Sequence, residues 1–558
     1  MSAPAATVEE RSGIDRDKAF SWGLTLIVAI PMVLFLILPL VTILIRSLET
    51  GDGYGLGNFI STFGAGRFWG LVRNSLTMAT IATLGAVTIG YFYAYTLQRT
   101  LVRGRSVLRL IAMMPLFAPS LVQAQGLILL LGRNGAFNRF LGFDFDIYGP
   151  VGTCIANLLY GFPYAVLILS AALATADGRL YESAEVMGAK PFRIFRTVTL
   201  PATRYGIAAA CFVVFTLVMT DFGNPMVIGG DFNVLATEVY NQVIGQAQFG
   251  LGAVIGVVLL VPAITAKLLE KRITRNQHAL LTDQSKPLII KPSRKRDLGF
   301  GVFTYSVAAV LMSVIGIVIV ASFVRLWPYN MTLTLRHYQF DVQNGAEPLW
   351  NSVFVALSSA AFGVLVAGLA AIVVQKFRTP LTGPLSLLSV LPSAVPGMVL
   401  GLGYVLAFND PSNPFNFLYG TFALIIILNG YYNHSQAFLI SSTSLKQIGG
   451  TFDEASTMLG AGVGRTLRKV TLPLIWPTLL GVGVFYFMRT MVSLSAVIFL
   501  ITPSTQVASV SVLQLSDRGA INQAAAFSVC IMAIVVGCLL AVRILLNLTG
   551  HKAVTLIR

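Results

Sequence analysis

Charge and cysteine are what this chain has least of. Only 11% of its 558 residues are Asp, Glu, Lys or Arg, against about 25% in an ordinary soluble domain. Its four cysteines, Cys154, Cys211, Cys530 and Cys538, stand in or beside apolar runs with no Cys-x-x-Cys or His-Cys spacing. They read as small buried hydrophobes and supply neither a disulfide framework nor a metal site. The four histidines, His278, His337, His434 and His551, are isolated from one another, and no clustered nucleophile or acid/base pair marks an embedded enzyme, so no catalytic residue is assigned. No Gly-Lys dipeptide occurs, which excludes a GxxxxGK[ST] phosphate loop and with it an ATPase site in this chain.

What the chain has in excess is apolar surface. The hydrophobic residues make up 55%, about 64% once the 51 glycines are added, and the mean hydropathy is +0.77. A globule of this size has too little interior to hide that much apolar area. The sequence therefore reads as an all-α integral membrane protein. A bilayer core of ~30 Å takes about 20 apolar residues at helical rise, and twelve stretches qualify: 22–46, 72–97, 108–131, 150–174, 203–228, 248–269, 299–324, 351–375, 384–408, 418–442, 475–500 and 524–548. The formal net charge of +16 is mostly an orientation signal. With the N-terminus in the cytoplasm, 30 of the 39 Lys and Arg fall on that side, which places both termini there. Scattered over short loops, these charges make no basic face for nucleic acid, and membrane lipid is the expected surrounding.

The chain also repeats itself. Asn74-Ser75 through Gln98-Arg99 recurs as Asn351-Ser352 through Gln375-Lys376, an offset of 277. Pro115 and Pro119 recur as Pro392 and Pro396, and Gly126 as Gly403, at the same offset. Further on, Glu182, Gly188, Leu200 and Pro201 match Glu454, Gly460, Leu472 and Pro473 at an offset of 272. Two units of about six spans follow, 22–269 and 298–549, in parallel orientation because the span number per unit is even. A polar, basic linker at 270–297 joins them on the cytoplasmic side, with cytoplasmic tails at 1–21 and 550–558. The prolines of the third stretch in each unit predict a kink near its cytoplasmic end, of the kind that shapes helix packing.

The strongest local pattern lies outside the spans, at 178–201 and 450–473. Tyr181, Ala184 and Met187 fall on one helical stripe, as do Phe452, Ala455 and Leu459. Gly188 or Gly460 then suits a left-handed C-cap. Pro191 fits the first turn of a second short helix, and Pro201 and Pro473 fit the first turn of the span that follows. The small residues Ala184, Gly188 and Ala189, and Ala455, Gly460 and Ala461, let another surface come close. A short helix, a turn and another short helix on the cytoplasmic face, once per unit, is a knob for a cytoplasmic partner.

These residues resemble the cytoplasmic "EAA" loop of permease subunits of bacterial binding-protein-dependent ABC importers. Glu182-Ser183-Ala184, Gly188 and Val198-Thr199-Leu200-Pro201 carry the spacing in the first copy, and Glu454-Ala455-Ser456, Gly460 and Val470-Thr471-Leu472-Pro473 in the second. Ser183 and Ser456 each replace an Ala of the motif, and Val198 and Val470 an Ile. The resemblance implies a MetI-like, type I importer fold of two parallel six-helix repeats in the bacterial inner membrane. It implies an ABC ATPase partner, in two copies, that binds the ATP while this chain binds no cofactor. Glu182, Ala184, Gly188, Ala189 and Pro201 would dock one ATPase subunit and Glu454, Ala455, Gly460, Ala461 and Pro473 its twin, and a periplasmic or extracellular binding protein would deliver the cargo. The fused pair and the Asp221-Phe222-Gly223-Asn224-Pro225 stretch resemble the ferric-iron permeases most, with 2-aminoethylphosphonate and thiamine importers as alternatives.

Charge at membrane depth costs about 2.5–3.5 kcal/mol per residue on insertion scales and is a functional suspect by default. Asp221 and Arg489 stand out. Offset 272 sets Asp221 against Ser493 and Leu217 against Arg489, so Asp221, Asn224, Arg489 and Ser493 are candidates for a translocation path, with Asp221 and Arg489 as a gate pair or, equally, a buried ion pair. The rival reading, an ion-gradient-driven carrier, needs several intramembrane carboxylates, and the chain offers chiefly Asp221.

Overall fold

The computed structural model describes residues 6–51, 53–142, 144, 146–274, 288–340, 345–377, 379–448 and 451–548, with side chains from residue 17 onward. Among the described residues nine helices are long and apolar enough to cross a membrane, from Asp17–Leu48 to Ile521–Leu548. The third stretch of each half is two helices rather than one straight span. Arg105–Phe117 meets Leu121–Leu141 at 105°, and Thr382–Ala394 meets Gly397–Phe408 at 111°. The cause is local: a residue before proline is pushed out of the helical region, and Ala118 and Val395, ahead of Pro119 and Pro396, are extended. The stretch 418–442 is Phe422–Tyr432 followed by His434–Gln447, broken at Asn433. Nine of the twelve apolar stretches thus hold a helix of spanning length and three are broken, and the helices of 203–228 and 475–500 end at Met219 and Met491, short of the expected bounds.

The first helix begins at Ala6, inside the expected tail 1–21. The linker is helical at both ends, since Phe249–Thr274 runs into it and Arg294–Phe323 starts within it. Residues 275–287 and the tail 550–558 lie outside the described residues. Two short antiparallel hairpins, Glu49–Thr50 with Gly53–Tyr54 and Val324–Leu326 with Asn330–Leu333, follow the first helix of each half.

The repeated Asn-Ser pair has a structural task. The short helix Leu235–Tyr240 is preceded by Val234 and Ala508–Asp517 by Val507, neither of which can cap an exposed N–H. Ser75 Oγ accepts from the Leu235 N–H at 2.8 Å, and Asn74 Nδ2 donates to the Asn233 carbonyl at 3.1 Å. In the second half Ser352 accepts from the Ala508 N–H at 2.8 Å and Asn351 donates to the Gln506 carbonyl at 3.0 Å.

The halves exchange their first helices. A Cβ on Gly126 would stand 2.3 Å from the Val314 carbonyl oxygen, and one on Gly403 would stand 2.7 Å from that of Pro39. Each glycine therefore admits the backbone of the other half's first helix, as small residues do where membrane helices pack closely. Tyr404 OH donates to the Phe35 carbonyl and Tyr305 OH to that of Arg103, both at 2.7 Å, sealing the two exchanged contacts. Neither unit of six spans is self-contained.

Candidate functional site

Two surface helices occupy equivalent places. Gly178–Val186 is capped by Asp177, whose Oδ1 accepts from the Arg179 N–H at 3.0 Å, and ends at Gly188 with φ +71°. The Ala189 N–H donates to the Ala184 carbonyl at 3.0 Å and the Gly188 N–H to that of Glu185 at 2.9 Å. Thr451–Met458 ends the same way at Gly460, φ +68°, with the Ala461 N–H on the Ser456 carbonyl at 3.1 Å. Pro191 then opens a helix, as its spacing predicts, but not a separate short one. Pro191–Met219 is continuous, and so is Val463–Met491. Each passes through a widened turn, Phe195–Thr199 or Leu467–Thr471, immediately before Leu200-Pro201 or Leu472-Pro473. A proline has no N–H and crowds the carbonyl four residues back, and the wider turn relieves both faults without ending the helix.

The two helical stripes differ in burial. Tyr181 and Ala184 are buried, but Met187 lies past the helix end and is 79% exposed, next to Val186 at 89%. Phe452, Ala455 and Leu459 are all exposed. By position Ala455 stands opposite Ser183. Offset 272 pairs Ala184 with Ser456, which turns inward and sits 2.6 Å from Thr466 Oγ1. Glu182 and Glu454 are exposed, and Ala189 and Ala461 are half-buried. What the two helices share at their tips is an exposed apolar pair, Val186-Met187 and Met458-Leu459, the same 272 residues apart.

Each surface helix is anchored by the last residue of the second span of its half. Arg99 Nη2 donates to the Leu173 carbonyl at 2.6 Å while its guanidinium lies 4.8 Å above the Tyr181 ring. Lys376, its counterpart, has Nζ 2.5 Å from Asp453 Oδ2, and Asp453 occupies the position of Tyr181. One anchor is a cation over a ring and the other an ion pair. The first helix has one further contact, an ion pair from Lys291 of the linker to Glu185, which holds the Lys291 ammonium above the usual lysine range.

A cavity of about 40 Å³ lies between the halves, room for one small ion or a few waters. The first half contributes Ser120, Tyr160, Tyr164 and Asp221, and the second contributes Tyr432, Arg489, Ser493 and Ser495. Arg489 Nη1 donates to Tyr164 OH at 2.8 Å, a bond across the halves, and its Nε to Asn433 Oδ1 at 3.4 Å. Asp221 is buried at the break after Pro191–Met219 and accepts from the Asn224 N–H at 3.1 Å. Asn224 in turn accepts from the Ala124 N–H at 3.2 Å and is not among the lining residues. Asp221 and Arg489 share the cavity, but no ion pair within 4.0 Å joins them among the described residues. Ser493 Oγ is buried with no hydrogen-bond partner among the described residues. The sequence reading missed the three tyrosines, since a tyrosine in an apolar run reads as packing. The one available signal was that Tyr160 and Tyr432 are also 272 residues apart.

Known proteins repeat the twofold pattern. The family model described as "Binding-protein-dependent transport system inner membrane component" matches residues 86–276 and again 363–550. The ferric transport system permease protein FbpB of Actinobacillus pleuropneumoniae is 28% identical over 547 residues, covering 93% of this chain and 77% of that protein. A putative ferric transport system permease protein, FbpB 1 of Haemophilus influenzae, is 28% identical over 498 residues, 85% of this chain and 77% of its own. The spermidine/putrescine transport system permease protein PotB of Escherichia coli matches 43% of this chain at 28% identity, with 96% of its own length covered. A chain of a bacterial ABC transporter involved in import of the acidic polysaccharide alginate aligns with 48% of this chain and 99% of its own, at 20% identity and a TM-score of 0.42.

Proposed function

We infer the function from one premise: this chain belongs to the family of binding-protein-dependent transport system inner membrane components. It is the membrane-spanning permease of an ABC importer. The cargo we assign is ferric iron, because the ferric permeases match across both halves while the polyamine permease matches one. Two copies of an ABC ATPase dock on the surface helices, the apolar tips Val186-Met187 and Met458-Leu459 entering a groove of each and Glu182 and Glu454 fixing the rim. A binding protein delivers iron at the opposite face of the bacterial inner membrane. The faces carrying the surface helices and both termini are cytoplasmic, in keeping with the bias of Lys and Arg.

The observation that carries this reading is the pair of equivalent surface helices, each leading into a long helix that reaches the central cavity. Pro191–Met219 begins at the first and stops two residues short of Asp221, and Val463–Met491 begins at the second, carries Arg489 and stops two residues short of Ser493. At ~1.5 Å per residue such a helix spans about 40 Å, so a displacement at the surface reaches the cavity as a rigid-body movement. ATP-driven closure of the two ATPases would shift the halves between two arrangements around Arg489 and Tyr164.

The test is uptake of radiolabelled ferric iron into proteoliposomes holding the permease, its ATPase and its binding protein. Uptake requires ATP hydrolysis and is unaffected by collapsing ion gradients. Uptake driven by a gradient with ATP withheld would make the protein a carrier instead, and ATP-dependent uptake of another solute with none of iron would move the cargo assignment.

A further inference from the structure

We propose that Tyr160, Tyr164, Tyr432 and Asp221 form a transient all-oxygen ferric site in the cavity between the halves, so that the ion crosses bound to phenolate and carboxylate. The proposal rests on the ferric reading and adds to it the groups that handle the ion. Hard trivalent iron takes anionic oxygen donors, and carboxylates and a tyrosine phenolate are among its protein ligands. The cavity gathers three phenols and a carboxylate around space for one ion. Arg489 sits among them and donates to Tyr164 OH at 2.8 Å, an oxygen that turns to the cation only once its proton has left.

Charge decides between this and a passage for bare iron. Moving a trivalent ion past Arg489 in a low-dielectric interior is repulsive and costly. Three phenolates and Asp221 supply four negative charges against three on the ion and one on the guanidinium, so the filled site is neutral. No redox step is involved. A hydrolysed ferric ion brings hydroxide ligands, and each phenol that binds gives its proton to one of them, forming an Fe–O(Tyr) bond as water leaves. Tyr160 and Tyr164 come from one half and Tyr432 from the other, so the donor set is complete only while the halves are together. The movement that separates Arg489 from Tyr164 also divides the ligands and releases the ion.

The experiment uses the full chain with its ATPase in nanodiscs, titrated with ferric nitrilotriacetate and read by visible absorption, where ferric phenolates show a charge-transfer band. The wild type and the exposed control Tyr54→Phe develop the band, and gallium, which has none, competes it away. Each of Tyr160→Phe, Tyr164→Phe and Tyr432→Phe lowers it, and the triple variant loses it and binds iron about 10-fold or more weakly. Ferric uptake at the wild-type rate by the triple variant overturns the site and leaves the ferric reading standing. Failure of the wild type to import iron overturns that reading itself. Iron binding that needs an added oxyanion, survives the triple substitution and disappears in Arg489→Ala makes the cavity an anion site and likewise overturns the proposal.

Discussion

In one half Ser75 caps Leu235 and Gly126 admits the backbone of Val314. In the other Ser352 caps Ala508 and Gly403 admits that of Pro39, with the capping hydrogen bond at 2.8 Å in both halves. Around the cavity an offset of 272 puts Asp221 opposite Ser493 and Leu217 opposite Arg489. The scaffold is repeated because every buried N–H and every close helix contact must be satisfied in both units. The cavity sits where the units meet, and the equivalent positions Tyr160 and Tyr432, and Asp221 and Ser493, all line it. Two aspartates or two arginines would be like charges sharing one low-dielectric site, and a single polypeptide can avoid that by letting the copies diverge. The caps and close helix contacts are repeated, whereas the charged residues of the passage, Asp221 and Arg489, are not.

Arg489→Leu abolishes that asymmetry by giving the second half the residue type found at Leu217. Ferric uptake by proteoliposomes should fall about 100-fold or more, while Leu217→Ala leaves it within about twofold. A full effect from Leu217→Ala would show that the passage is not confined to the residues that line the cavity. On the framework side, Gly126→Val and Gly403→Val should each destabilise the folded protein by about 1–3 kcal/mol, read as equal losses in the thermal midpoint of the detergent-solubilised chain. A loss on one side only would break the equivalence of the exchanged helices. Ser75→Ala and Ser352→Ala should each cost about 1 kcal/mol in the same assay. The smallest effect belongs to Lys291→Ala, which removes a contact the second half lacks. Its pKa is raised by Glu185, so the ion pair is complete below the ordinary lysine range and is lost as pH rises through the raised value. The effect of this substitution on ATP hydrolysis by the assembly should therefore be small and constant across neutral pH, and high salt should mimic it.

Much of this architecture was legible in the residues because it is periodic or punctuated. The twelve apolar stretches, the offsets of 277 and 272, and the glycine caps at 188 and 460 each have a local cause. Other features depend on partners distant in sequence. No local pattern says that Gly126 faces the other half's first helix, and the prolines at 119 and 396 announce a bend without giving its near right angle. The tyrosines of the cavity were hidden for a chemical reason, since an aromatic side chain in an apolar span fits packing and ligation equally well until its neighbours are known.

The most direct measurement is ATP hydrolysis and ferric uptake, recorded together, for the assembly carrying Met187→Asp alone, Leu459→Asp alone and both. Each substitution puts a charge on one apolar tip without touching the cavity. The account predicts that either one alone uncouples the assembly, dropping uptake to background and hydrolysis to the rate of the isolated ATPase, because the halves move as a pair. Wild-type uptake by the double variant would contradict it.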